Sequence, residues 1–201
     1  MKKKPIIIII LFFLTFSLSA SGNANQLVKL LQNKFNSISD LSADFRQFSN
    51  GKVTLAGKFF YGKTNKIRLE LKNLVIVSDG VTNWSYNKKE NKVIISNYNP
   101  DDPSIISLQR IINEYPLQCK VTSDKDGDLN ILNLFPNKSG LNFKNALIYI
   151  NPSNLIQKIN LTDQASNHIQ IEFSNYQLNK SLGISTFSFT PPKGSKVIDL
   201  R

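Results

Sequence analysis

From Leu41 onward this chain is written in period two. Leu41, Ala43 and Phe45 alternate with Ser42, Asp44 and Arg46, and Ile67, Leu69 and Leu71 alternate with Arg68 and Glu70. An apolar residue at every second position is the mark of a strand with one face against a core. Similar short runs fall at 53–55, 59–61, 93–95, 129–134, 143–150, 156–161, 169–176 and 187–189, with Val121 marking another. Asn50-Gly51, Gly62 to Asn65, Asp79-Gly80 and Asn87 to Asn91 punctuate them as turns. The Asp79-Gly80 pair supplies the positive φ angles of a tight hairpin between Val75 and Val77 on one side and Trp84 and Tyr86 on the other. About ten or eleven short strands of this kind predict a mainly β, α+β domain whose antiparallel sheet curls into a barrel or half-barrel. A two-sheet sandwich fits the same alternation nearly as well.

Two segments break the pattern. Leu27, Leu30, Leu31, Phe35 and Ile38 lie at helical spacing, with Lys29, Gln32, Asn33 and Asn36 off that face. Asp102-Pro103-Ser104 reads as a helix start, and Ile105, Leu108, Ile111 and Ile112 continue it until Pro116 forbids more. Both helices are amphipathic, so each needs an apolar surface to rest on.

The N-terminus has another purpose. Lys2-Lys3-Lys4, an apolar run from Ile6 to Leu18 and a small-residue stretch from Ser19 to Ala24 make the three parts of an export signal. The run is shorter than the ~20 residues a spanning helix wants. Cleavage is expected after Ala24, with Ala20 the alternative, leaving a single domain at 25–201 that is expected to be soluble. The net charge of +11 falls to about +8 once the three N-terminal lysines leave. The remaining lysines are scattered, apart from Lys88, Lys89 and Lys92 at one hairpin tip, and export argues against a nucleic-acid partner.

Residues suited to chemistry are scarce. His168 is the single histidine, in phase with Gln170 and Glu172 on the polar side of its strand, and Gly-x-Ser-x-Gly does not occur. With only Cys119 beside it, no zinc ligand set assembles. Asp124-Lys125-Asp126-Gly127-Asp128 lacks the glycine and glutamate of a calcium loop and reads as a hairpin turn. The expectation is therefore a binding protein, not an enzyme, with no cofactor and no metal. Phenylalanine is abundant, 13 in the whole chain with ten beyond the export signal, and such rigid side chains either fill the inside of a wide sheet or line a cavity there.

Three stretches carry a family resemblance. Val77-Ser78-Asp79-Gly80-Val81-Thr82-Asn83-Trp84-Ser85-Tyr86 resembles the hairpin of the LolA family. So does Gly57-Lys58-Phe59-Phe60-Tyr61-Gly62-Lys63-Thr64-Asn65-Lys66-Ile67-Arg68 upstream. Phe187-Ser188-Phe189-Thr190-Pro191-Pro192-Lys193-Gly194, followed by Val197-Ile198-Asp199, completes the set. Together they run in order across residues 41 to 199.

The resemblance implies an unclosed barrel with a helical lid over its concave side. It further implies a monomeric periplasmic carrier that takes acylated lipoproteins from an inner-membrane ABC transporter and hands them to an outer-membrane receptor. On that view Phe45, Phe59, Ile67, Leu69 and Trp84 line the lipid cavity, and Leu27, Leu30, Leu31, Phe35, Ile105, Leu108 and Ile112 form the lid. The family's Arg-Pro is replaced here by Lys63-Thr64, so lid closure falls to Lys63 or passes to Arg68; lysine keeps the charge but loses the planar fork. The other readings are an envelope regulator of the same fold that senses lipid or lipoprotein, a small outer-membrane β-barrel, and a lipid hydrolase with no nucleophile to name.

Overall fold

The computed structural model describes residues 20–99 and 107–201, with residues 20–22 described by their backbone alone. The chain enters through helix α1 (Ala20–Asn36) and then forms β1 (Asp40–Ser49), β2 (Lys52–Gly62), β3 (Lys66–Leu71), β4 (Leu74–Ser78), β5 (Thr82–Asn87) and β6 (Lys92–Asn97). A second helical segment at 108–118 leads into β7 (Cys119–Asp126), β8 (Leu129–Pro136), β9 (Phe143–Ile150), β10 (Ile156–Asp163) and β11 (His168–Leu178). A short 3₁₀ turn (Ile184–Phe187) and β12 (Lys196–Asp199) close the chain.

All twelve described strands belong to one sheet, in the order β12-β6-β5-β4-β3-β2-β1-β11-β10-β9-β8-β7. Neighbours are antiparallel except β12, which runs parallel to β6. β7 and β12 are the two edges, so the sheet is unclosed, and the sandwich alternative is excluded. One buried cluster joins Leu69 and Ile76 of β3 and β4 to Leu132 and Ile148 of β8 and β9, through Leu31, Phe35 and Ile112 of the helices. The sheet therefore curls around a single apolar interior that the helices cover.

A second, smaller apolar layer lies on the opposite face. Val75, Val77, Val93 and Ile95 are buried outside that cluster, and the register sets them with Trp84 and Tyr86 in facing rows. The C-terminal segment covers them. Phe187 is packed against the position a β-carbon of Gly62 would occupy, and Phe189 meets Tyr86 with ring centroids 5.6 Å apart. This strap is held by the β12–β6 ladder, by Arg68 Nη1 donating to Thr186 O at 3.3 Å and by Asn91 Nδ2 donating to Gly194 O at 3.1 Å.

Three local expectations change. The run 187–189 is not a strand: Phe187 ends a 3₁₀ turn, Pro191-Pro192 can donate nothing to a ladder, and β12 forms beyond them. The Asp79-Gly80 turn is wider than a two-residue hairpin. Only Gly80 has positive φ (95°), while Asp79 Oδ1 accepts the Val81 and Thr82 N–H groups at 2.8 and 2.7 Å. Glycine is also required there by space, since a β-carbon would run into the Thr64 carbonyl.

The second helix passes through Pro116 instead of stopping before it. Arg110–Glu114 is a π-helical turn, and α2 (Tyr115–Gln118) follows with the proline in its first turn. The wider turn relieves the clash a proline ring makes with an α-helical carbonyl four residues back. The expected start at Asp102-Pro103-Ser104 lies outside the described residues.

Candidate functional site

The helix-covered face is an apolar hollow whose walls come from distant parts of the chain. Leu27, Leu31 and Phe35 form one stripe of α1, all buried, because steps of four residues return to the same side of a helix. Leu108 and Ile112 descend from the second helix. Phe45, Phe59 and Phe173 meet beneath them, with centroids of the last two 5.5 Å apart. The hollow is filled by these side chains. The space left among Leu31, Phe35, Ile38, Leu108, Ile112 and Tyr176 is about 20 Å³, room for roughly one water.

Polar groups at this interface are few. Tyr61 lies under the lid against Phe35, centroids 4.8 Å apart, and burial pushes its phenol up to about 12. Tyr176 donates its hydroxyl to the Ile156 carbonyl, and burial raises its phenol as well. Among the described residues one side-chain hydrogen bond joins the two helices: Gln32 Nε2 on α1 donates to Ile112 O at 3.1 Å. That carbonyl lies one helical turn before Pro116, which has no N–H to offer it.

Phe45, Phe59, Ile67 and Leu69 stand on the helix-covered face, none more than 5% exposed. Leu27, Leu31, Phe35, Leu108 and Ile112 reach them from above. Leu30 does not. It stands 43% exposed at the rim, beside Ser123, Asp124 and Asn130. Ile105 lies outside the described residues.

Trp84 is corrected to the opposite face. Ser85 pairs with Ile76, which is in the interior cluster, so Trp84 and its partner Val77 point outward. The misreading has a physical origin: Leu74-Val75-Ile76-Val77 is apolar on both faces and carries no alternation to set the phase of β5.

Lys63 sits on the β2–β3 turn, exposed, its backbone N–H donating to Ser39 O at 3.3 Å. Among the described residues its ammonium has no hydrogen-bonding or ionic partner. Arg68 lies on the outer face, where it pairs with Glu70 at 2.6 Å and holds the strap; it does not face the lid. Sequence reasoning missed Gln32, for which Pro116 was the available signal.

Elsewhere, His168 is exposed with Nδ1 3.3 Å from Thr162 Oγ1. Cys119 is buried, and burial raises its thiol. Gly127, with φ of 57°, turns the β7–β8 hairpin. Among the described residues no three of His, Cys, Asp and Glu converge on a common point, and no helix is long and apolar enough to cross a membrane.

Comparison with known proteins gives these features a lineage. Residues 36–190 match the family described as "Outer membrane lipoprotein carrier protein LolA". The outer-membrane lipoprotein carrier protein of Chromobacterium violaceum is 30% identical over 166 residues, 79% of this chain and 80% of that one. The protein of the same name from Francisella tularensis subsp. novicida is 24% identical over 207 residues, covering 98% and 97%. Among solved structures, an uncharacterized conserved protein from Thermus thermophilus superposes with a TM-score of 0.60 at 11% identity, over 88% of this chain and 99% of that one. This last likeness speaks to the fold alone. Because the family match takes in every strand from β1 to β11 and the second helical segment between them, the chain belongs to the LolA family.

Proposed function

We propose that this protein is a periplasmic carrier of lipoproteins: it takes up acyl chains released at the inner membrane and delivers them to an outer-membrane receptor. The observation that carries this reading is the nature of the cover. Two amphipathic helices rest on a wide apolar face through side chains, with Gln32–Ile112 as their mutual hydrogen bond. Residues 1–24 serve for export, and the remaining chain works as a monomer.

The physical problem is one of solvent. At roughly 0.8 kcal/mol per CH₂, a chain of ~15 methylenes is held in a bilayer by about 12 kcal/mol, and a carrier must offer a comparably apolar surface. That same surface, exposed and empty, invites aggregation once it exceeds a few hundred Å². A closed state filled by Phe35, Leu108 and Ile112 resolves the conflict. The incoming chains replace the lid's side chains on the sheet, and the lid swings outward over them. Nothing is hydrolysed by the carrier; direction comes from the ATP-driven transporter upstream and the receptor downstream.

The test is retention of a lipoprotein in water. The protein lacking residues 1–24 is mixed with a detergent-solubilised diacylated lipoprotein, the detergent is removed, and the mixture is passed over a sizing column. A soluble one-to-one complex is expected. Sedimentation of all the lipoprotein, with the protein eluting alone, would overturn the reading.

A further inference from the structure

One buried amide side chain makes no hydrogen bond among the described residues. Asn83 is 6% exposed, and among the described residues neither its amide nitrogen nor its amide oxygen has a hydrogen-bonding partner. A buried amide left unpaired is costly, and sequence offers many apolar replacements for a strand position. Its face is set by the register: Asn83 pairs with Ser78, which pairs with Ile67 of the interior cluster. Asn83 therefore points to the helix-covered side of the sheet.

It is not isolated there. Across β4, β5 and β6 the same row reads Ser78, Asn83, Ser96, and Ser85 lies in the next row between Ile76 and Ile94. Ser78 is fully buried, and its hydroxyl accepts the Gly80 N–H at 3.1 Å. A face made of phenylalanine, leucine and isoleucine on β1–β3 and β8–β11 thus turns polar at one end, beside the β4–β5 turn. A ligand made only of methylenes would gain nothing from that end.

We propose that Asn83 is the head-end subsite of the hollow, where its Nδ2 donates to an ester carbonyl at the glyceryl end of a diacylated ligand while the hydrocarbon lies along the phenylalanine-lined floor. The claim rests on the carrier reading and refines it: the protein recognises the acyl ester as well as the chain. The ester can come from an acylated cysteine or from a glycerophospholipid, and both present the same carbonyl.

The test compares matched ligands. A dipalmitoyl-glyceryl-cysteinyl peptide and its dihexadecyl ether counterpart, which lacks the two carbonyls, are titrated by competition against a fluorescent acyl probe. The expected result is a preference of about tenfold for the ester, the scale of one hydrogen bond to an otherwise unpaired group. Asn83→Leu is expected to bring the two ligands to equal affinity without weakening the ether. A diester and diether phosphatidylglycerol pair, run in parallel, distinguishes the sources: a preference in the peptide pair alone assigns the subsite to lipoproteins, and one in both pairs assigns it to acyl glycerol generally.

Equal binding of ester and ether by the unaltered protein overturns the subsite and leaves the carrier reading standing. Failure of both to bind removes the carrier reading as well. Thermal unfolding of the empty Asn83→Leu protein adds a ligand-free check. An unchanged or raised midpoint is expected from replacing an orphan amide by an isostere. A collapse of the fold would mean that Asn83 serves structure instead, and would overturn the subsite.

Discussion

The sheet buries apolar side chains on both of its faces, and the two covers are built differently. The outer layer over β3–β6 is closed by the strap, which is tied down by a backbone ladder to β6 and by the Arg68 and Asn91 hydrogen bonds. The inner layer is closed by helices that meet the sheet mainly through side chains, with one backbone tie from Asn137 N–H to Gln118 O at 2.9 Å and with Gln32–Ile112 linking one helix to the other. Apolar contact is non-directional and survives exchange of one partner for another of similar character. Backbone hydrogen bonds are obligatory, and breaking them in the interior leaves orphaned groups. The strap is therefore fixed to the sheet by directional bonds, and on the carrier reading the helical cover is the one that an acyl chain replaces.

The largest expected effect separates the two covers. Phe187 and Phe35 are each 5% exposed, and a buried Phe→Ala change costs about 3–5 kcal/mol where the site cannot give way. Phe187→Ala is expected to show that full loss in urea unfolding. Phe35→Ala is expected to lose less, because once the lid opens as a local unit its contacts no longer contribute to global stability. Equal losses would show that the lid and the sheet unfold as one body.

Next comes the joint between the helices. Gln32→Ala leaves the Ile112 carbonyl without its side-chain donor and is expected to cost about 1 kcal/mol. Amide exchange at 108–118 should accelerate while that of β12 stays as it was; a uniform change across both would remove Gln32 from the lid.

Tyr61 reports on closure through pH. Its phenol is held at about 12 by burial, above the ordinary value of about 10. Between those values the unfolded chain gives up the proton and the folded one keeps it, so the stabilisation is complete below pH 10 and is lost as pH rises toward 12. Tyrosinate absorbance, taken as the difference from Tyr61→Phe, should show the high midpoint in the closed protein. In Phe35→Ala the midpoint should move back toward 10, and a midpoint unmoved there would mean that Phe35 does not shield Tyr61.

The smallest effect is expected at Lys63. Its ammonium is exposed and unpartnered among the described residues, so Lys63→Leu should alter stability by no more than about 0.5 kcal/mol and leave lid exchange unchanged. A marked acceleration of lid exchange would restore the closing role that the family resemblance implies for this position.

Much of this architecture was readable from local pattern. Alternation through β1, β2 and β3 placed Phe45, Phe59, Ile67 and Leu69 on one face, and the stripe of α1 was visible as Leu27, Leu31 and Phe35. Where a segment is buried on one side only, hydrophobic period and geometry report the same thing. The pattern failed at Leu74-Val75-Ile76-Val77, which is buried on both sides, and the phase of Trp84 was lost with it. It failed again at Phe187 and Phe189, whose alternation reflects packing of an irregular strap against Gly62 and Tyr86 and not a strand.

The amino-acid order alone determined most of the strands, the amphipathic stripe of α1, the glycine at position 80 and the scarcity of reactive side chains, because each depends on residues a few positions apart. Only the folded chain decided which helix and which strap cover which face, that Gln32 meets the carbonyl left over by Pro116, that the hollow at rest is occupied by the protein's own phenylalanines, and that Asn83 is buried without a partner among the described residues. Those outcomes join residues 80 positions apart at Gln32–Ile112 and 118 apart at Arg68–Thr186. Period and propensity record that a face is buried, and they are silent about what lies on top of it.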